Sequence, residues 1–204
     1  MKIYIGRCYL GMDTEFKIKN TVIETVRLIL RAWKDTDLLD LHEYAKVEGV
    51  GESAGWTHHT TIEDSKKALN GYISGDNVFA IVYKETNKVI GSVGVGKVSA
   101  DGEYKDYIQK GIGYVLSRDY WGKGLMTEAV KAVVDWLFHN TDIEILSCGF
   151  FEGNDRSRRV IDKCGFKFVS AETFNQNDEI LRGRSYSLIK SEYLSKQYLI
   201  QRIL

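Results

Sequence analysis

Residues 112–129 read IGYVLSRDYWGKGLMTEA. The run up to Leu116 suits a strand, and from Leu125 the pattern changes period. Glu128, Lys131, Asp135 and His139 recur at three- and four-residue steps, and nearly everything between them is apolar. That spacing predicts a helix over residues 125–140 with one wide face against a core. Gly122 and Gly124 lie in the loop between, where glycine lets the backbone approach a ligand closely. The free N–H groups of the helix's first turn then face an anion, helped by the positive end of the helix dipole. Lys123 adds charge between the glycines. Strand, Gly-x-Gly loop and helix together point to a pyrophosphate site; an ordinary helix entry with flexible glycines is the alternative.

Outward from this stretch the chain alternates strands and helices. Residues 22–33 partly alternate and predict a strand. Asp35 is placed to cap a helix running to about Lys46, with Leu38, Leu41 and Ala45 on one stripe. Thr61-Ile62-Glu63-Asp64 resembles a capping box and opens a helix through about Ser74. Residues 78–83 and 89–98, joined by a Thr86-Asn87-Lys88 turn, predict a hairpin. A loop over residues 99–106 leads to a strand over 108–117. Residues 143–151 read as a strand, and residues 155–164 as a helix stopped by Gly165. Residues 166–170 and 181–189 predict a closing hairpin with a long polar loop. The order implies a mixed α/β sheet with helices on both faces. We expect one domain over residues 21–190, an N-terminal extension over 1–20 without clear periodicity, and a helical tail over 191–204.

Composition narrows the function classes. The chain has 204 residues, 28 basic and 28 acidic, so its formal charge is zero. A nucleic-acid binder needs a basic excess to neutralise phosphates, so that class is set aside. Apolar runs fall short of the ~20 residues that span a bilayer, so no membrane role is expected. Cys8, Cys148 and Cys164 are odd in number and lack metal-ligand spacing, which suits reduced thiols in a cytoplasmic protein without a metal. Proline is absent, where ~5% usage predicts about ten, so turns fall to Gly, Asn, Asp and Ser. The segment GSVGVGKV at residues 91–98 nearly matches a nucleotide-binding loop. Val98 stands where the magnesium hydroxyl is needed and no helix follows, so it reads as a strand.

The segment Tyr120-Trp121-Gly122-Lys123-Gly124-Leu125-Met126-Thr127-Glu128-Ala129 resembles the acetyl-CoA loop of the GNAT N-acetyltransferases. It is similar above all to the branch that acetylates ribosomal-protein N-termini. It departs at the first loop position, where Asp119 replaces the usual Gln or Arg and Arg118 is adjacent but out of register. NDRSRRVIDKCGF at residues 154–166 and TVRLILRAWKDTD at 25–37 resemble two further family blocks. The likeness covers most of residues 22–189. It implies the acyl-CoA N-acyltransferase fold, a mostly antiparallel sheet whose fourth and fifth strands (residues 108–117 and 143–151) are parallel and splay at their C-terminal ends. It also implies acetyl-CoA as co-substrate, held by Leu116, Ser117, Arg118, Gly122, Lys123, Gly124, Met126, Thr127, Asn154 and Ser157.

Ser157 precedes Val160, Ile161 and Cys164 by three, four and seven residues, so it faces inward. The resemblance puts its hydroxyl near the pantetheine arm, where it would protonate the departing thiolate; a satisfied helix-start serine is the alternative. Asn154 is an N-cap that the resemblance also sets against the pantetheine amides. Glu128, near a helix N-terminus on the stripe of Lys131 and Asp135, reads as a stabilising surface carboxylate rather than a base. His59, and less so His58, follows Trp56 in a loop that borders the family's acceptor site, so His59 is a candidate base. The expected activity is acetyl transfer to a primary amine, with a protein or peptide N-terminus first. A small amine is the first alternative, prompted by the acidic residues Asp101, Glu103 and Asp106. A non-catalytic CoA-binding protein is the second. A homodimer is compatible with the sequence.

Overall fold

The computed structural model describes residues 4–5, 8–9, 16–98, 106–176 and 179–201. Among these residues ten strands and five α-helices follow in the order β1 (Tyr4–Ile5), β2 (Cys8–Tyr9), β3 (Ile23–Glu24), β4 (Leu28–Arg31), α1 (Leu38–Ala45), α2 (Ile62–Gly75), β5 (Val78–Tyr83), β6 (Lys88–Val98), β7 (Gln109–Leu116), α3 (Leu125–Asn140), β8 (Ile145–Phe151), α4 (Asp155–Lys163), β9 (Lys167–Gln176), β10 (Glu179–Ile189) and α5 (Lys190–Gln201). The sheet runs β3-β4-β5-β6-β7-β8-β10-β9, with β1 and β2 appended to the end of β6. Neighbours are antiparallel except β7 and β8, which are parallel. This is the mixed sheet with helices on both faces that the element order predicted.

Period-two alternation builds two cores. Leu28, Leu30, Phe79, Ile81, Val93, Val95 and Ile112 face α3, which buries Val130, Val133, Leu137 and Phe138 against them. The residues between, such as Ala80, Val82 and Val115, face α1 and α2 with Leu41, Tyr44 and Leu69. Phe16 and Ile18 belong to the α3-side core, and Tyr193 of α5 packs against it. Described residues on either side of residues 21–190 thus pack into the same core.

Several local expectations need correction. The predicted strand over residues 22–33 is a hairpin of β3 and β4, because the turn at Thr25–Leu28 is held by a distant group. Glu128 of α3 accepts from the Thr25 hydroxyl (2.6 Å), the Arg27 N–H (2.9 Å) and the Arg27 guanidinium (2.7 Å). Glu128 is thus enclosed rather than on a solvent face. Burial alone would raise its pKa, but these bonds outweigh burial and lower it. The carboxylate organising the entry to α1 is Asp37, not Asp35. It accepts from the Lys34 N–H (2.8 Å) and pairs with Arg31 (2.8 Å), after a 3-10 turn over Asp35–Asp37. The polar stretch expected as a long loop after residue 170 extends β9 and β10, since an outer strand can carry polar side chains and still complete its ladder. The expected box at Thr61 and Asp64 caps α2.

Candidate active site

The parallel pairing of β7 and β8 is short. It covers Gln109–Ile145 to Gly111–Ser147, yet β7 continues to Leu116 and β8 to Phe151. Beyond Gly111 the strands separate, and a cleft of about 980 Å³, its open mouth included, lies between them. Such a gap leaves strand backbone groups without partners. Ser117 N–H donates to Ile90 C=O on β6 (2.8 Å). Donors alternate along a strand, so the Leu116 N–H is turned toward the gap. The Leu116 carbonyl accepts from the Trp121 indole (2.8 Å), which folds the loop back over the strand end. Gly91 makes the close approach of β6 possible: a Cβ there would lie 2.3 Å from the Val115 carbonyl oxygen.

One wall of the cleft is the entry to α3. After a 3-10 turn over Arg118–Tyr120, Gly122 and Gly124 both adopt φ of +76°, a conformation that favours glycine. Gly124 stands at the N-cap position and no side chain caps the helix. Leu125, Met126 and Thr127 of the first turn line the cleft, so their backbone end of the helix dipole faces it. The opposite wall is α4. Asn154 caps it by accepting from the Ser157 N–H (3.1 Å), and its amide donates to the Ser53 carbonyl (3.1 Å). Arg156, Arg159 and Lys163 of α4 line the cleft, whose described lining includes no carboxylate and no imidazole. Arg156 also stacks on Trp121, 3.9 Å from the ring centroid.

Ser157 is buried at the cleft wall, and its Oγ lies 2.8 Å from the Tyr114 hydroxyl of β7. Burial pushes the Tyr114 phenol well above its usual pKa. Seven of the predicted contacts line one cleft: Leu116, Gly122, Gly124, Met126, Thr127, Asn154 and Ser157. Ser117, Arg118 and Lys123 do not line it. Arg118 donates to the Glu48 carbonyl, and the Lys123 ammonium lies 5.0 Å from the Tyr120 ring. His59 is apart from the cleft. It is 8% exposed, stacked near Trp56, and its Nδ1 is 2.8 Å from Ser65 Oγ. Burial lowers its pKa more than Asp64 raises it. His58 pairs with Glu52 (2.8 Å). Sequence reading missed Tyr114, Arg156, Arg159 and Lys163. The three cations had a legible signal, because spacings of three and seven residues put them on one face of α4.

The cleft suits an extended anion. It offers an uncapped helix N-terminus, backbone donors at a strand end and three cations. Those are the features that a nucleotide thioester with several phosphates requires. A family described as an acetyltransferase (GNAT) domain matches residues 27–167, from β4 to the start of β9.

The chain belongs to the GNAT family.

It is accordingly an N-acetyltransferase. The GNAT domain is 30% identical to an uncharacterized N-acetyltransferase, p20, of Bacillus licheniformis, over 83% of this chain and 96% of that protein. Its fold matches a GNAT-family acetyltransferase of Bacillus anthracis with a TM-score of 0.73 and 22% identity, covering 84% and 99% of the two chains. It also matches RimL, a ribosomal L7/L12 alpha-N-protein acetyltransferase solved with coenzyme A. There the TM-score is 0.71 and the identity 19%, covering 83% and 98%. No helix among the described residues of this GNAT chain is long and apolar enough to cross a membrane.

Proposed function

We propose that this protein acetylates the α-amine of a protein or peptide N-terminus, using acetyl-CoA bound in the cleft between β7 and β8. The observation that carries the reading is the charge of that cleft: three cations and an uncapped helix N-terminus, with no acid among its described lining residues. Acetyl-CoA supplies an activated acyl carbon: a C–N bond forms as the C–S bond breaks, the amine loses a proton and the sulfur gains one. The α3 entry binds the phosphates through backbone N–H groups, with Gly122 and Gly124 allowing the approach. Arg156, Arg159 and Lys163 add charge complementarity along α4. The Leu116 N–H is aimed to stabilise the carbonyl oxygen as negative charge develops on it. Ser157 faces the sulfur and hydrogen-bonds it as it becomes a thiolate.

The absence of a carboxylate or imidazole from the described lining favours an α-amine acceptor. Such an amine has an ordinary pKa of ~8 against ~10.4 for lysine, so it needs little help to lose its proton. A polycationic small amine would call for acidic residues. Asp101 and Glu103 of the acidic loop lie outside the described residues. RimL, named for an N-terminal substrate, shares the fold and supports the same choice. A thiol-release assay with acetyl-CoA over N-terminal peptides, polyamines and aminoglycosides tests this. Turnover with peptides bearing a free α-amine, lost when that amine is blocked, is the expected result. Turnover confined to polyamines or aminoglycosides would overturn the acceptor assignment, and none with any amine would overturn the catalytic one.

A further inference from the structure

Ser157 is tied to one partner from across the cleft. Tyr114 leaves β7 on the face that carries α3 and α4, and its hydroxyl reaches two acceptors of the same residue. Ser157 Oγ lies at 2.8 Å and the Ser157 carbonyl oxygen at 3.2 Å. The phenol carries one proton: given to the carbonyl it would leave Oγ to donate to the phenol, and given to Oγ, the shorter contact, it leaves the Ser157 proton free. A phenol is the stronger donor of the two hydroxyls, which favours the second arrangement. A serine inside a helix otherwise tends to donate back to a carbonyl one turn earlier. In the second arrangement the Ser157 proton is free to point into the cleft that its side chain lines.

We propose that Tyr114 is a positioning residue: its hydroxyl donates to Ser157 and turns the Ser157 proton toward the sulfur of CoA. This rests on the role given to Ser157 above. Hydrogen bonds in series polarise one another, so a serine that accepts from a phenol is a better donor to a thiolate. Burial raises the Tyr114 pKa, which keeps the phenol protonated and makes it a standing donor rather than a source of the proton. The Cys148 thiol is a further hydrogen-bond partner of the phenol, Cys164 lies near it, and Arg156, Arg159 and Lys163 line the same cleft.

The test reads the thiol of CoA directly and needs no acceptor. CoA is bound to the wild-type protein, Tyr114→Phe, Ser157→Ala and the double variant. Thiolate absorbance near 240 nm is then followed against pH, with desulfo-CoA complexes as blanks to remove the protein's own tyrosines and cysteines. Ser157→Ala should raise the midpoint by about half to one pH unit, the worth of one hydrogen bond. Tyr114→Phe should raise it by a similar amount, and the double variant by no more than Ser157→Ala alone. A midpoint raised by Ser157→Ala but unmoved by Tyr114→Phe would overturn the inference and leave the role of Ser157 standing. A midpoint unmoved by Ser157→Ala would overturn both, and failure of CoA to bind the wild-type protein would remove the cofactor assignment itself. Should Tyr114→Phe not fold, replacing Tyr114 with 3-fluorotyrosine keeps the shape and strengthens the donor. The midpoint should then fall, and an unchanged or higher midpoint would count against the proposal.

Discussion

Ser157 was legible because three apolar residues follow it at helical spacing; its partner was not. Tyr114 sits in an alternating strand, where an aromatic reads as core, and only the separation of β7 from β8 brings its hydroxyl to α4. Replacing Ser157 with alanine should lower kcat about tenfold to a hundredfold, because a bond that strengthens with thiolate charge appears in turnover. The KM for acetyl-CoA should stay within about twofold, and steady-state kinetics with an N-terminal peptide reads both. His59 shows a different outcome. A histidine beside a loop suggested a base, yet burial and Ser65 hold it away from the cleft. Glu52 illustrates a residue whose pH behaviour follows from its bonds. Burial would raise its pKa, but donors at Gly49 (2.7 Å) and His58 (2.9 Å and 2.8 Å) hold it at about 2. The folded value lies below the ordinary 4.5. Its stabilisation is therefore complete above that pH and is lost as pH falls toward 2. The side chain is 42% exposed, so solvent screening limits the effect to about 0.5–1 kcal/mol. Glu52→Ala should melt about 1–3 °C below wild type at pH 7, with the gap closing by pH 2–3 in thermal scans.

The single elements with strong periodicity were legible almost to the residue. Helix α3 was expected over residues 125–140 and spans Leu125–Asn140; β5 was expected over 78–83 and spans Val78–Tyr83. The misses have non-local causes. The β3–β4 turn depends on Glu128, about one hundred residues away in sequence, and β9 is completed by its partner rather than by its own polar side chains. The pairing of β6 with β7 offers a test at this scale. A Cβ at Gly91 would meet the Val115 carbonyl oxygen at 2.3 Å and Leu116 Cα at 3.0 Å, both backbone atoms. Gly91→Ala should therefore push the strands apart and cost about 1–3 kcal/mol in urea unfolding. It should also weaken acetyl-CoA binding, since the Leu116 N–H moves with its strand. Gly71 in α2 is the contrast. A Cβ there meets nothing within 4 Å, so Gly71→Ala should gain about 0.5–1 kcal/mol with binding unchanged.

At the scale of the whole molecule, the three blocks at residues 25–37, 112–129 and 154–166 converge. The first supplies β4 and, through Arg27, a donor to the Lys123 carbonyl (2.9 Å) of the loop. The second supplies β7, the loop and α3. The third supplies α4 on the far wall. Their separation in sequence is large, but one parallel pair that opens after Gly111 brings the last two together. The order of elements therefore disclosed the fold and the position of the cleft. The Tyr114 contact and the packing of Phe16 and Ile18 required the folded chain, whereas the cationic stripe of α4 could have been read from its spacing. The account stands on acetyl-CoA occupying that cleft with its phosphates at the start of α3. Gly124 decides this most directly, because its φ of +76° strains any β-branched residue and its backbone forms the helix entry. Isothermal titration of acetyl-CoA into wild-type protein and Gly124→Val, with melting curves to confirm folding, is the measurement. The account predicts at least a tenfold weaker affinity, about 1.4 kcal/mol, in a folded Gly124→Val protein. Equal affinity in that folded variant would contradict it.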